Sequence, residues 1–402
     1  MSKKLLKNLF FNRFILILPK NMIMLRLVTF TVILFIMTGC NTGSSDNSVE
    51  STDPFSFIEI DERQSVGDKE IKLSDLVESY EVVRFEDSDS ALFRPWKTSV
   101  SDNYIVIVQG GMSTVMLFDK KGRFINTVGR PGMGPGEYQY VYNALIDEDR
   151  GSIFVVPWYS PQPTLEYDLK GNFRRSHNIP KIAKSVFFNN TDGTISAASL
   201  TFKDQDDTAT ALTFNPETDS IKSVFYPALS VPLLNDAQEA VGLENDIWAF
   251  RNVTTNVFMT TSNDTLYAYD PVDNKIHPRA FLKEKDVKEP GSWYVGMELP
   301  QSIVFCVNGS DARSIWYDKD TGEVSNAALV NDYMGNATFS ISNFRDGYFV
   351  QIWEPGQLLD RIEERWLPKN NMSDQQRRDL EKFRDSIDPD SNNIMLIGKL
   401  KR

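Results

Sequence analysis

Five stretches of the sequence carry one pattern: an apolar alternation ending in an aromatic residue, then Asp or Asn, then a turn, then a second alternation. They are Met116-Leu-Phe118-Asp119, Leu165-Glu-Tyr167-Asp168, Leu212-Thr-Phe214-Asn215, Leu266-Tyr-Ala-Tyr269-Asp270 and Ile315-Trp-Tyr317-Asp318. Successive acidic or amide positions lie 49, 47, 55 and 48 residues apart. A period of this size, built from strands and turns, belongs to a propeller blade. The Asp or Asn opens each turn by accepting backbone N–H bonds two residues on. Gly122, Gly171 and Gly322 offer the positive φ that ends it. The aromatic before the turn is expected to pack between neighbouring sheets.

Each repeat also predicts a strand before it (104–108, 153–156, 194–200, 257–261 and 303–307) and one after it (124–128, 173–177, 221–226, 276–282 and 324–329). The chain ends supply a sixth unit. Segments 337–344 and 348–353 flank Arg345-Asp346-Gly347, 393–400 adds a strand, and 80–86 at the front is left over. Pairing that first strand with the last blade closes the ring and removes two exposed edges. The expected fold is therefore all-β, a six-bladed β-propeller over 55–402 with velcro closure, at roughly 53 residues per blade. Seven blades is the alternative. A helical insertion at about 356–387 is expected in the last blade. Leu358, Leu359, Ile362 and Trp366 stand at helical spacing, and Ser373-Asp-Gln-Gln376 has the form of a capping box ahead of Leu380, Phe383 and Ile387. It reads as a lid on one face of the disc or as a partner-docking element.

The N-terminus reads as an address. Residues 1–39 hold Lys3, Lys4, Lys7, Arg13, Lys20 and Arg26 and no acid, then an apolar run at 27–36. That run is too short to span roughly 30 Å of hydrocarbon as a helix, and the pattern is that of a secretory signal. Met22 or Met24 offers a more compact start. Met37-Thr38-Gly39-Cys40 resembles a bacterial lipobox, in which the Cys becomes the lipid-bearing first residue; a plain secretory signal is the alternative. Residues 40–54 are rich in Ser, Asn, Thr and Asp and read as a flexible tether. The expected location is the cell envelope, lipid-anchored through Cys40, with the outer membrane favoured. Cys306 is then without a partner, which leaves no intrachain disulfide.

Lys72-Leu-Ser-Asp-Leu-Val77, Tyr80-Glu-Val-Val-Arg-Phe85, Phe118-Asp-Lys-Lys-Gly-Arg-Phe124 and Gly129-Arg-Pro-Gly-Met-Gly-Pro-Gly-Glu-Tyr138 together resemble the six-bladed β-propeller lipoproteins, a family related in shape to NHL-repeat propellers. The resemblance covers about 70–400 and is most specific at Gly132–Tyr138. It implies an envelope-anchored propeller and carries over no catalytic residue.

The net charge of −12 disfavours a nucleic-acid partner. Two His and two Cys exclude His-rich zinc sites and iron–sulfur centres. The run Gly129–Gly136 is broken by Pro131 and Pro135 and is not followed by a helix. It reads as a blade-to-blade crossover fixed by Glu137 rather than a phosphate cradle. His177 and His277 read as solvated or edge-strand residues. Trp158 and Tyr159, between Pro157 and Pro161, are candidate ligand-binding aromatics, with Trp96 in a similar Pro-bounded segment and Trp293-Tyr294 behind them. Arg130 is a candidate anion contact. No catalytic residue or metal ligand is assigned. The expected function is a binding or scaffold module, monomeric as a domain, for a glycan, peptide or envelope protein. The alternative is a metal-dependent hydrolase or lyase with its site at the channel mouth, where Ca²⁺ would be the cofactor.

Overall fold

Alternating apolar residues make each repeat a four-stranded antiparallel meander, innermost strand first. The computed structural model describes residues 53–110, 114–157, 163–179, 184–189, 192–203, 206, 209–233, 246–261, 263–286, 293–369 and 371–402. Blade 1 is Pro95–Val100, Tyr104–Gln109, Val115–Asp119 and Phe124–Val128, and blade 2 runs from Val141–Asp147 to Phe173–His177. Blade 3 runs from Ser185–Asn189 to Ile221–Val224, blade 4 from Ile247–Trp248 to Lys275–Lys283, and blade 5 from Trp293–Leu299 to Val324–Asn331. Blade 6 takes Phe344–Arg345, Tyr348–Trp353 and Ile394–Leu400 from the C-terminal end and its outermost strand, Val77–Arg84, from the N-terminal end. The ring is thus a six-bladed propeller closed by antiparallel pairing of Val77–Arg84 with Ile394–Leu400.

The repeated aromatic does the same work in each blade. Phe118 of blade 1 packs with Tyr348, Val350 and Met395 of blade 6. Tyr167 of blade 2 packs with Val115 and Val128 of blade 1, and Phe214 of blade 3 with Phe154 and Val156 of blade 2. Tyr269 of blade 4 joins Ala198 and Ala211 of blade 3, and Tyr317 lies against the cluster shared by blades 4 and 5. Each ring faces the preceding blade, and burying a side chain of this size contributes about 2–3 kcal/mol. Two turn glycines extend the docking. A Cβ on Gly122 would stand 2.5 Å from the Arg84 carbonyl oxygen of blade 6, and one on Gly171 would stand 2.4 Å from that of Thr127 in blade 1. Only glycine permits this approach at φ +84° and +77°.

One feature escapes the repeat. Before closing blade 6, the N-terminal segment adds Ile58–Asp61 in parallel to the outer strand of blade 4, and Asp68–Lys72 in parallel to that of blade 5. Three successive blades therefore receive an outer strand from residues 58–84. Arg279 locks this strap: it is 1% exposed, donates from Nε and Nη2 to Glu298 at 2.9 and 2.8 Å, and from Nη1 to the Ser56 carbonyl at 2.6 Å.

The insertion between the second and third strands of blade 6 is helical, as expected: Pro355–Arg361, a π turn at Ile362–Trp366, and Asp374–Asp385. Ser373 and Gln376 form the capping box, with Gln376 N–H donating to Ser373 Oγ at 3.2 Å and Ser373 N–H to Gln376 Oε1 at 2.9 Å. Leu358, Ile362, Trp366 and Leu380 are buried in the core shared with blades 5 and 6. That burial fixes the insertion over one side of the disc.

Candidate functional site

The inner strands bring charged residues from distant parts of the sequence to the axis. Tyr142 of blade 2 donates from its hydroxyl to Asp246 beside blade 4 at 3.1 Å, and Lys184 Nζ lies 3.3 Å from the same carboxylate. The chain after the inner strand of blade 4 crosses towards blade 6. Phe250 O accepts from Asp346 N–H at 2.8 Å, Asn252 Oδ1 accepts from Gly347 N–H at 3.2 Å, and Arg251 pairs with Asp346. Arg251 adopts φ +54°, an uncommon conformation for a residue with a side chain. Blades 4 and 6 are not neighbours, so these contacts bridge the centre of the ring.

Lys97 sits in this cluster with its Nζ 5.4 Å from the Trp96 ring centroid and 5.1 Å from that of Tyr142. Burial lowers its pKa; Asp246 opposes that shift, and Arg345, Lys184 and Arg251 add to it. Of the described residues at the axis, Asp246 is already held by Lys184 and Asp346 by Arg251. Calcium takes six to eight oxygen ligands. Among the described residues no three His, Cys, Asp or Glu side chains gather as a metal site. The axial donor set, with Lys97 and Arg345 close by, does not fit a divalent cation.

Beside the axis, a groove of about 550 Å³ opens between blade 6, the start of blade 1 and the helical insertion. Trp96, Phe339, Trp353 and Trp366 give it aromatic walls. Trp353 and Trp366 stand edge-on, with centroids 6.1 Å apart and planes at 84°, and the Arg361 guanidinium lies 5.9 Å from the Trp353 centroid. Ser340, Ser342, Asn343 and Gln351 add amides and hydroxyls to the lining. Their backbone is held by a second capping box, in which Asn343 Oδ1 accepts from Ser340 N–H at 3.2 Å and Ser340 Oγ from Ser342 N–H at 3.3 Å. Arg345, Arg361, Arg365 and Lys369 bring four cations to the lining, and among the described residues no carboxylate lines it. Arg345 uses Nη2 on the Ser342 carbonyl at 2.8 Å, whereas its Nε is buried without an acceptor. The Trp353 indole Nε1 is likewise buried and unpaired. Burial lowers the Arg345 pKa, Asp346 opposes that, and Arg251 adds to it.

Of the residues singled out from sequence, Trp96 lines the groove, 38% exposed. Trp158, Tyr159 and Cys40 lie outside the described residues. Arg130 is elsewhere, on the crossover from blade 1 to blade 2, where its Nε donates to Glu137 Oε1 at 2.6 Å. Glu137 fixes that crossover by accepting from Gly134 N–H at 2.8 Å. Trp293 stacks on Trp248 with centroids 6.1 Å apart. His177 corrects the expectation of a solvated residue. It is on an outer strand, yet fully buried, with Nε2 3.0 Å from Glu166 and Nδ1 3.2 Å from Asp219, because blade 3 covers the outer edge of blade 2 there. His277 packs against Phe55 of the N-terminal strap, with ring centroids 5.3 Å apart. Sequence reading passed over Arg345, Trp353, Arg361, Arg365 and Lys369 as binding residues. The four-residue spacing of Arg361 and Arg365 was the one local sign that they share a helical face.

A family model described as a domain of unknown function, DUF4934, matches residues 56–399. Among solved structures, a presumed exported protein from Bacteroides fragilis is 15% identical, with 86% of this chain and 100% of that chain covered and a TM-score of 0.60. A member of the DUF4221 family from Bacteroides vulgatus is 12% identical, covering 81% of this chain and 98% of that one, with a TM-score of 0.44. Virginiamycin B lyase from Staphylococcus aureus is 12% identical, covering 62% and 74%, with a TM-score of 0.40. The first of these shows a shared fold. No curated protein matches the chain.

Proposed function

The chain belongs to the DUF4934 family, and from that premise we propose that it is a lipid-anchored binding module of the cell envelope that captures a glycan in the groove between blades 6 and 1. Residues 1–39 direct export, Cys40 carries the lipid, and residues 40–54 tether the domain. The likeness in fold to a presumed exported protein from Bacteroides fragilis supports the export part of this reading. The observation that carries the reading is the groove itself. Three tryptophans and a phenylalanine line about 550 Å³, and two buried donors, Arg345 Nε and Trp353 Nε1, lack an acceptor. A buried donor without a partner costs about 1–3 kcal/mol, and the two side chains that carry these donors also line the groove. Flat aromatic faces beside fixed amides and hydroxyls suit the apolar faces and hydroxyl edges of sugar rings.

A glycan array probed with the full-length chain in detergent tests this. Wild type is expected to bind a restricted set of saccharides, and Trp353→Ala to lose at least about tenfold in affinity, as truncating a central aromatic anchor does. Saccharide binding that Trp353→Ala leaves unchanged, or an array with no bound saccharide, contradicts it; peptide or protein capture at the same groove would move the reading to those partners.

A further inference from the structure

We propose that the groove selects acidic saccharides, sugar rings carrying a carboxylate or a sulfate. This rests on reading the groove as the binding site and adds the chemistry of what enters it. The chain has 43 basic and 55 acidic residues, yet among the described residues this lining collects Arg345, Arg361, Arg365 and Lys369 and no acid. Charge of the minority sign, gathered at one cavity of an acidic protein, focuses an attractive field for anions there.

The cations are available. Arg361, Arg365 and Lys369 form no salt bridge among the described residues, in contrast to the axial arginine Arg251, which is paired with Asp346. Arg361 and Arg365 stand four apart on the helical insertion, Lys369 follows just after it, and all three line the groove, while Leu358 and Ile362 anchor the insertion in the core. Arg345 enters from the floor, on the inner strand of blade 6, with its Nε buried and unpaired. An arginine fork matches the paired oxygens of a carboxylate or sulfate.

The walls select the rest of the ligand. Trp96 and Trp353 provide flat surfaces for a ring, and Gln351 and Ser340 provide edges for hydroxyls. An acidic peptide would need a free sheet edge or a continuous apolar trough to dock its backbone or helix face. The inner strand of blade 6 is two residues long and the lining is interrupted by four cations, so the geometry favours the saccharide.

Tryptophan emission of the full-length chain in detergent reads the test directly, because three of its seven tryptophans line the groove. The probes are trigalacturonate, the same trisaccharide as its full methyl ester, and a sulfated galactose disaccharide. At least one acidic probe is expected to bind about tenfold or more tighter than the ester, and added salt to weaken it. The double variant Arg361→Gln, Arg365→Gln should lose that advantage while keeping its thermal midpoint, since both side chains lie at the surface of the insertion. Carboxylate-only or sulfate-only binding supports the proposal and names the anion. Equal binding of acid and ester, lost in Trp353→Ala, overturns the charge assignment and leaves a neutral-sugar groove. No response to any probe also overturns it; array capture that still depends on Trp353 then keeps the binding reading, and its absence removes both.

Discussion

Arg251 of blade 4 and Asp346 of blade 6 pair across the middle of the ring, although their blades are not adjacent. The Asp346 carboxylate also accepts from Val100 N–H of blade 1 at 2.9 Å, and its own N–H reaches the Phe250 carbonyl at 2.8 Å. One aspartate thus ties three blades at the axis. Arg345, next to it in sequence, faces the groove, so the tie also fixes the floor of the candidate site.

Asp346→Asn keeps the turn, because Asn tolerates the φ of +57° found there, and removes only the charge. The Arg251 and Asp346 side chains are 15% and 7% exposed, so the arginine is left largely buried without a counter-charge. Breaking a buried pair from one side costs about 3–5 kcal/mol. A lower urea midpoint at an unchanged slope, equivalent to that loss of unfolding free energy, is the expected outcome. A loss below about 1 kcal/mol, the range of surface pairs, would contradict the axial tie.

The turn glycines separate strain from docking. Gly322 has φ +73° and open space around its missing Cβ, whereas Gly171, at φ +77°, abuts the Thr127 carbonyl. Gly322→Ala is expected to cost about 1 kcal/mol for conformation alone. Gly171→Ala should cost at least about 1–3 kcal/mol more, for forcing blades 1 and 2 apart. Equal losses in thermal unfolding would show that the close approach does not hold.

Glu166 makes stability fall in acid. It is 2% exposed and accepts from Ser152 Oγ at 2.7 Å and Arg175 Nε at 2.8 Å, with His177 Nε2 at 3.0 Å. Burial alone would raise its pKa; the hydrogen bonds from His177, Ser152 and Arg175 outweigh it and hold the carboxyl well below the usual range. The unfolded chain then takes up the proton first as pH drops below about 4.5, so the stabilisation is complete above that pH and is lost as pH falls towards the folded value. Wild type should lose stability between about pH 5 and 3 more steeply than Glu166→Gln. Parallel pH profiles would contradict this.

Cys40→Ala tests the anchor. In cells fed labelled palmitate, the wild-type chain is expected to carry label and to sediment with membranes, and the variant to do neither, since loss of the acyl chains removes about 0.8 kcal/mol per CH₂ of membrane affinity. Label retained by the variant would place the lipid elsewhere or remove it from the account.

The blades were legible because their information is local. Phe118-Asp119 and Tyr167-Asp168 carry strand, packing face and turn within a few residues, and Ser373 with Gln376 announces a helix start in the same way. The strap was not legible. Ile58–Asp61 and Asp68–Lys72 are short, largely charged, and pair with strands more than 200 residues away. The buried state of His177 was hidden because its neighbours Glu166 and Asp219 come from the strand before it and from the next blade. The groove was legible only at Trp96. Apart from Pro95 and Thr98 beside it, the other members come from residues 338–369, and only ring closure sets them beside the start of blade 1.

The most direct measurement is oxidative footprinting of the full-length chain with and without the saccharide selected on the array. Bound ligand is expected to protect Trp96 and Trp353 together and to leave exposed residues such as Met133 and Phe225 unchanged. Protection confined to residues away from blades 6 and 1, with those two tryptophans oxidised at the free rate, would contradict the assignment of the groove.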